Sequence, residues 1–208
     1  MFFETGARDK QLLPRDPFKA IVAPRPIGWI STRARDGRIN LAPYSFFNGF
    51  NSVPPIVGFS SEGYKDSADF ARDSGEFVAN LVSFDLMQKM NLTSAPLPRG
   101  TSEFEHAGLT MAACRLVKAP RVAEAHAALE CKVVDHVPLK NQFGEAIDSY
   151  LTLGEVVAFH IDDALIRDGR FDTAAARPVA RCGYFDYTVV ETLLAMMRPP
   201  GGEGRSGS

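Results

Sequence analysis

Gly63, Lys65 and Ser67 have the residue types and the spacing of a site that could bind a phosphate group. They stand at the entry to a predicted helix with the sequence KDSADFARDSG, in which Asp66 or Ser67 would be the N-cap and Gly75 the C′ residue. The N-terminus of a helix offers unpaired backbone N–H groups and a partial positive charge, so it binds phosphate readily. Asp66 argues against such a site, because its carboxylate repels phosphate unless it turns inward to cap the helix. The alternative is a capped surface helix with a solvated lysine.

A second group of residues, in the stretch NLAPYSFFNGF, combines aromatic rings with small polar side chains. On a continuous strand, Tyr44 and Phe46 would face one way, and Ser45 and Phe47 the other. The rings could form a core, but polar residues weaken a core unless their hydrogen bonds are met. A heteroaromatic ligand, apolar on its faces and polar at its edge, would suit both residue types. The polar residues are Ser31, Thr32, Asn40, Ser45 and Asn48. On the residues alone, core and ligand wall both stay open.

The sequence contains no motif for acid–base or nucleophilic catalysis. GxSxG and HExxH are absent, and spacing supports neither a paired-carboxylate nor a Cys–His arrangement. The four histidines show no i,i+3 or i,i+4 pairing and the three cysteines form no CxxC pair, so we predict free thiols and no metal site. A bound cofactor that performs hydride chemistry needs binding and electrostatics from the protein, and no catalytic triad.

The elements that must position these residues are mostly strands. IGWIST and INLAPYSFF are predicted to form a hairpin around the turn RDGR. Further predicted strands are PIVGFSS, EFVANLVSF, AALECKVVDHVPL, YLTLGEVVAFHID and RCGYFDYTVV, and a second helix, FDLMQKMNLTS, ends before Pro96. Six or seven strands with a few flanking helices predict a mainly β fold, an antiparallel barrel that is closed or partly closed, since closure removes exposed edges.

The composition predicts one domain over residues 1–190, of which residues 1–18 are a polar lead-in broken by Pro14 and Pro17. Residues 191–208 form a tail whose end, PPGGEGRSGS, is predicted to be disordered. The net charge of −2 comes without a basic stripe, which argues against nucleic acid as a partner. MFFETGARDK has no apolar signal region and no apolar run approaches the ~18 residues that a membrane span needs, so we expect a cytoplasmic protein.

Several segments resemble the flavin reductase-like family in a consistent order from about Arg25 to Tyr187. They are RPIGWISTRARDGRINLAPYSFFNGFNSVPPIVGFSS, KDSADFARDSGEFVANLVS, EFEHAGL, PRVAEAHAALECKVV and GEVVAFHID. The resemblance implies an FMN-binding split barrel, typically a homodimer, and an enzyme that transfers hydride from NAD(P)H to flavin. It also implies a possible monooxygenase partner. The absence of a Rossmann fingerprint fits a nicotinamide that docks only transiently over the flavin.

Carried over by position, the resemblance implies the cofactor-binding residues. Ser31 and Thr32 would lie beside the FMN phosphate or ribityl chain, while Ser45, Phe46, Phe47 and Asn48 would line the isoalloxazine. Lys65, Asp66 and Ser67 match the family segment KDT near the phosphate, with serine in place of threonine. Arg25 and Trp29 also match family positions, although Trp29 would serve equally well in the core or a dimer interface.

Two further segments belong to the resemblance. Arg181 lies in PVARCGY, where the family has PLARxGG and this chain has Tyr184 in place of a glycine. EFEHAGL, Glu103–Leu109, would contribute to the site from a partner chain. The resemblance implies no catalytic residue.

The sequence also allows other functions. The chain could be an FMN-binding electron-transfer protein without NAD(P)H activity of its own, or a split-barrel module for another cofactor such as haem or pyridoxal phosphate. If the helix start binds the phosphate, replacing Lys65 and Ser67 by alanine should weaken FMN binding without unfolding, because both residues are expected on its exposed surface.

Overall fold

The computed structural model describes residues 1–63, 65–97, 101–197 and 199. The strands are β1 (Arg25–Pro26), β2 (Gly28–Arg33), β3 (Ile39–Tyr44), β4 (Phe47–Ser52), β5 (Pro55–Glu62), β6 (Glu76–Leu81), β7 (Met111–Ala112), β8 (Arg121–Val122), β9 (Ala127–Lys140), β10 (Ala146–Ile161), β11 (Ile166–Arg167), β12 (Arg170–Phe171), β13 (Val179–Gly183) and β14 (Asp186–Val189). The helices are α1 (Phe18–Ile21), α2 (Asp66–Ser74), α3 (Met87–Leu92), α4 (Glu103–His106) and α5 (Thr173–Ala176), with 3₁₀ turns at Phe84–Leu86 and Asp163–Leu165.

The main sheet has seven antiparallel strands in the order β3-β2-β6-β9-β10-β5-β4. Its two edge strands, β3 and β4, follow each other in the chain and are separated only by Ser45 and Phe46. At this junction the Ser60 N–H of β5 donates to the Phe46 carbonyl oxygen at 2.8 Å. The sheet therefore curls until its edges meet at one corner, which makes the fold an antiparallel split β-barrel and confirms the predicted fold class.

Side chains on the two faces of β2 enter two different hydrophobic clusters. Ile30 packs with the α2 side chains Ala68 and Ala71, together with rings from β3, β5 and β6. Trp29, one residue earlier, points to the opposite face and packs with residues of α3 and α4. Successive side chains of β2 thus point to opposite faces, and both faces are buried. The polar residues of β2 on the same face as Ile30 therefore lie next to α2.

The corner depends on close packing between Phe47 and β2. A Cβ added to Gly28 would lie 2.4 Å from Phe47 Cδ2, nearer than any real contact. The absence of a side chain at Gly28 therefore lets the Phe47 ring close directly onto the backbone of β2.

Two predicted elements need correction. The predicted strand INLAPYSFF breaks after Tyr44 and resumes at Phe47, so Tyr44 and Phe46 do not share the face of one strand. The N-cap of α2 is Lys65, which makes no side-chain capping bond, and neither Asp66 nor Ser67 caps the helix. The left-handed residue after this helix is Gly75, with φ 76°, as predicted.

The two ends of the chain lie outside the main sheet. Residues 1–17 have no helix or strand but cover a cavity beside β1 and β13. The strands β1, β13 and β14 form a separate three-stranded sheet that carries α1 on one side. After Val189 the described residues contain no regular element, and the end of the tail that is predicted to be disordered lies outside the described residues except for Pro199. Of the helices described, none has the length and apolar character to cross a membrane.

Candidate functional site

The corner between β3 and β4 brings together four predicted ligand contacts. Ser45, Phe46 and Phe47 are half-buried, and Asn48 is exposed with its Oδ1 accepting from the Gly49 N–H at 2.9 Å. The Phe47 ring packs on β2, so the open part of the corner is formed by Ser45, Phe46 and Asn48, an aromatic residue between two polar ones, which are residue types expected in the wall of a site for a flat ligand.

Two cations lie over the Phe46 ring. The Lys19 ammonium is 5.6 Å from the ring centroid and the Arg25 guanidinium carbon is 5.7 Å from it. Phe18 stacks on the same ring with centroids 6.4 Å apart. Since Lys19 and Phe18 belong to α1, the N-terminal segment contributes to this corner, which no sequence motif indicated.

The start of α2 is open to solvent at Lys65 and Asp66, whereas Ser67 is buried at 1% exposure. The Asn40 amide donates to Ser67 Oγ at 2.6 Å. The expectation that Ser67 lies on the exposed surface of the helix is therefore wrong. In the first turn, Lys65 and Asp66 are exposed and Asp69 is half-buried.

Tyr44 links the helix start to the corner. Its buried hydroxyl is hydrogen-bonded to Ser67 and to Ser61, and it directly precedes Ser45 in the chain. Burial raises the pKa of Tyr44 above its usual value, and the bonds to the two serines offset this only in part. Sequence reasoning treated Tyr44 as possible core and overlooked Ser61, because the partners of a buried hydroxyl cannot be read from strand periodicity.

Trp29 and Ser31 point away from α2 and are fully enclosed. The Trp29 ring N–H donates to Thr93 Oγ1 at 2.9 Å, and Ser31 Oγ donates to the Pro120 carbonyl at 2.6 Å. Neither side chain presents a surface to a ligand, which corrects the prediction that they contact the cofactor. Both residues are in the core because the odd-numbered side chains of β2 point to the face opposite α2.

Thr32 lies on the face of β2 that α2 covers. It pairs with Asn40 across β2 and β3, so the two side chains point the same way and Thr32 lies close to Ser67. Thr32 is fully buried, and its Oγ1 has no hydrogen-bond partner. A buried hydroxyl without a partner is uncommon and calls for an explanation.

Arg25 lies beside the corner and is 6% exposed. One of its terminal nitrogens, Nη1, donates to the carbonyls of Lys19 and Val22, which ties α1 to β1. Arg25 and Ser45 both line a cavity of about 1290 Å³, as does Arg181 of β13. Ser45 of the second motif and Arg25 thus meet at one cavity, with the N-terminal segment as its outer wall, whereas the start of α2 does not line this cavity.

The segment Glu103–Leu109 packs against its own barrel. Glu103 Oε2 accepts from the Leu41 N–H of β3 at 3.3 Å, and Phe104 is fully buried. Burial raises the pKa of Glu103, and the nearby Asp66 carboxylate adds to this effect. Its contacts in the structure are intramolecular, and a contribution across a dimer stays a prediction.

The fold defines the class of protein as a mainly β, antiparallel split barrel. The flavin reductase like domain matches residues 22–175 of the sequence. The chain therefore belongs to the flavin reductase-like family.

The similarity to known proteins, in sequence and in structure, extends over nearly the whole chain. An uncharacterized protein of Halalkalibacterium halodurans is 37% identical over 183 residues, which cover 86% of this chain and 87% of that protein. Nitrilotriacetate monooxygenase component B from Bacillus cereus superposes with a TM-score of 0.85 at 26% identity, over 94% of this chain and 98% of its own. The 2-nitrobenzoate 2-nitroreductase of Pseudomonas fluorescens shares the fold, with a TM-score of 0.82 at 24% identity over 98% of this chain and 100% of its own.

Proposed function

We propose that the protein is an FMN-binding oxidoreductase of the flavin reductase type, which transfers hydride from NAD(P)H to the flavin. The observation that carries the proposal is the open corner at Ser45–Asn48, where aromatic and small polar residues are adjacent and Ser45 lines the cavity of about 1290 Å³. Sites for small molecules usually measure about 300–1,000 Å³, so this cavity has room for a flavin and part of a second reactant. Membership of the family supports the same assignment.

Three features of the described residues fit a flavin mononucleotide. α2 begins without a side-chain cap, so its first N–H groups are available to a phosphate. The unpartnered Thr32 Oγ1 lies on the face of β2 behind this helix. Phe46 offers an apolar face, with Ser45 and Asn48 beside it for the polar edge of a ring.

These features divide the cofactor contacts into two groups. Lys65 and the backbone N–H groups of the first turn of α2, including that of Asp66, would hold the phosphate, with the Asp66 carboxylate turned away from it and Thr32 and Ser67 supporting the turn from inside. The ring system would lie against Ser45, Phe46, Phe47 and Asn48. The two groups are joined through Tyr44, which bonds to Ser67 and leads into Ser45.

A bound FMN would supply the acceptor for the hydride, with its two electrons, that the dihydronicotinamide loses from C4. The protein would bind and orient the two reactants. Arg25, which stays a proposed cofactor contact, and Lys19 both lie within 6 Å of the Phe46 ring centre. Their positive charges would stabilise the negative charge that reduction leaves on the ring.

The proposal includes partners and a location. A homodimer is supported by the exposed edge strand β4. A monooxygenase that receives reduced flavin is supported by the name of the Bacillus cereus relative, which is one component of a monooxygenase. A cytoplasmic location is supported by three free cysteines, of which Cys114 has its pKa raised to about 11 by burial and by Glu130.

Anaerobic stopped-flow reduction of the FMN-loaded protein by NADH and by NADPH tests the activity. We expect the flavin absorbance to bleach with at least one donor. A protein that binds FMN but is reduced by neither donor would be an electron-transfer protein. A protein without flavin absorbance after incubation with FMN would be a binding module for another cofactor.

The phosphate assignment is tested with Lys65→Ala and Thr32→Val, with Lys140→Ala at the exposed end of β9 as the control. Because each test variant removes one group near the phosphate, we expect FMN to bind about tenfold more weakly. Riboflavin, which lacks the phosphate, should bind all four proteins alike. Quenching of flavin fluorescence measures both affinities. An unchanged FMN affinity, or an equal loss of riboflavin affinity, would place the phosphate elsewhere. Ser67→Ala is less suitable, since it would also remove the hydrogen bond that the Asn40 amide donates to Ser67, whereas Thr32 Oγ1 has no partner to lose.

A further inference from the structure

The cavity beside the corner has a strong excess of positive charge. Its lining includes the cationic residues Arg8, Lys10, Lys19, Arg25 and Arg181. Among the described residues that line it, Asp16 is the one acid, and its carboxylate is paired with Arg8 at 2.9 Å. Within the part of the chain that the structure describes, the other four cations around this cavity form no ion pair.

Two of these cations lie directly opposite each other. Arg25 of β1 and Arg181 of β13 are partners across the antiparallel pair, so their side chains share one face. Like charges in this arrangement are destabilising. Arg181 also stacks on Tyr187, with its guanidinium carbon 4.4 Å from the ring centroid, which limits its freedom to move away.

Arg25 has unmet hydrogen-bonding capacity despite its burial. Its Nη1 donates to two carbonyls, but its Nε has no partner. An arginine keeps its charge at any physiological pH, and an enclosed charge without a counter-charge is costly. The pair Arg25 and Arg181 is therefore arranged for an anion that the chain itself does not supply.

The rest of the cavity wall suits the remainder of a nucleotide. The turn between β13 and β14 places Tyr184 and Phe185 at the cavity, and Phe18 faces it from α1. Tyr184 has φ 46°, in the left-handed region that favours glycine, so the chain holds a large ring there at a conformational cost. Aromatic rings of this kind stack on nucleic bases.

We infer that this cavity binds the nicotinamide dinucleotide, with Arg25 and Arg181 binding its diphosphate and the rings of the β13–β14 turn packing on its adenosine end. A single carboxylate needs one or two cations, whereas a diphosphate matches several, and arginine binds phosphate oxygens in pairs. The inference rests on the proposed function. It assigns the donor to a cavity wall that includes the N-terminal segment.

Arg181→Gln and Lys19→Gln, alone and combined, test this inference, because Arg25 also holds α1 and its loss would disturb the fold. Arg170→Gln, on the exposed strand β12, is the matched control. Calorimetric titration of the FMN-loaded proteins with NAD⁺ and NADP⁺ should show about tenfold weaker binding for Arg181→Gln of at least one dinucleotide. The double variant should bind the dinucleotide more weakly still, and the control should bind it as the unaltered protein does.

A kinetic comparison separates binding from the hydride step. The Arg181→Gln variant should show a raised KM for NADH or NADPH, with reduction by 1-benzyl-1,4-dihydronicotinamide, which has no phosphate, unchanged. Its FMN affinity should match that of the unaltered protein. If FMN affinity falls instead, the cavity holds the flavin phosphate and the inference is wrong.

Other outcomes distinguish the inference from the proposed function. If the unaltered protein oxidises NADH or NADPH but Arg181→Gln and the double variant bind and react equally well, only the inference fails. If the unaltered protein neither binds nor oxidises any dinucleotide, both fail. Binding of benzoate that depends on Arg181, without binding of NAD⁺ or NADP⁺, would assign the cavity to a carboxylate substrate and would also overturn the inference.

Discussion

Glu130 of β9 shows how a single buried charge can organise a loop. Its carboxylate is fully enclosed and accepts from the N–H groups of Arg115, Leu116 and Val117 at 2.8, 2.6 and 3.0 Å. His160 Nε2 lies 2.6 Å from the same carboxylate. These ligand-type atoms and the Cys114 thiol come within 4.8 Å of one another. Because four hydrogen bonds already occupy the carboxylate, its role is to fix the loop before β8.

Replacing Glu130 by glutamine should destabilise the protein. The substitution removes the charge and turns an amide toward backbone N–H donors, so we expect a loss of about 3 kcal/mol in the free energy of unfolding at pH 7. Urea denaturation measures this loss. Glu105→Gln, at an exposed position of α4, is the control and should leave the free energy nearly unchanged.

The same carboxylate predicts a pH dependence. Burial alone would raise the pKa of Glu130, but the hydrogen bonds from Arg115 and the other donors outweigh it, and the pKa is lowered. The stabilisation from Glu130 is therefore present above the unfolded pKa of about 4.3 and is lost as the pH falls toward the folded value. The difference between the unaltered protein and Glu130→Gln should shrink below about pH 4. A constant difference down to pH 3 would show that the charge is not what stabilises the loop.

At the scale of elements, α1 is held against β13 by a close backbone approach. A Cβ added to Gly183 would lie 2.7 Å from the Ala20 nitrogen and 2.8 Å from the Lys19 carbonyl carbon, and its φ is 93°. Both the backbone conformation and the contact therefore require glycine at this position. The inner wall of the cavity depends on the same contact, because Gly183 and Lys19 both line it.

Gly183→Ala should consequently loosen the N-terminal segment. We expect a loss of about 3 kcal/mol in the free energy of unfolding, against about 1 kcal/mol for Gly144→Ala, which has φ 82° but no atom within 4 Å of an added Cβ. Thermal or urea unfolding gives the two values, and trypsin should cut faster after Lys19 in Gly183→Ala. Equal losses for the two variants would mean that the approach of α1 contributes nothing.

The elements differ in how well the sequence predicts them. The hairpin of β2 and β3 and the end of α2 at Gly75 are confirmed, because strand periodicity and a left-handed glycine are local signals. The break at Ser45 and Phe46 is not predicted, because residue types typical of a strand continue through the corner where the sheet curls. The pairing of Arg25 with Arg181 joins strands far apart in the chain, and no local pattern reports it.

The same limit applies to the candidate site. The KDS segment and the ring-rich stretch were found by residue type, and the structure brings both to the neighbourhood of Tyr44. Which side chains face outward was not predictable for Ser31 and Ser67, because burial depends on what packs above them. Asn40 of β3 contacts Ser67, and the Pro120 carbonyl covers Ser31.

At the scale of the whole molecule, charge is distributed unevenly. The chain carries a net charge of −2, yet the cavity beside the corner is lined by five cations and one acid. A cationic cleft on a slightly acidic protein raises the local concentration of anionic ligands and speeds their association, an effect that salt weakens. The proposed reactants, FMN and a nicotinamide dinucleotide, are both anions, so one field would serve both.

The edge strand β4 bears on the assembly of the molecule. Phe50 of β4 is 55% exposed, and Val53, in the turn that follows, is 85% exposed. An open sheet edge with exposed apolar side chains favours association with a second copy, so we expect a particle of twice 22.7 kDa by light scattering after gel filtration. Val53→Asp should shift the mass toward the monomer, while Ile166→Asp, on the separate strand β11, should not. A monomeric unaltered protein, or a dimer that Val53→Asp leaves intact, would exclude this edge as the interface.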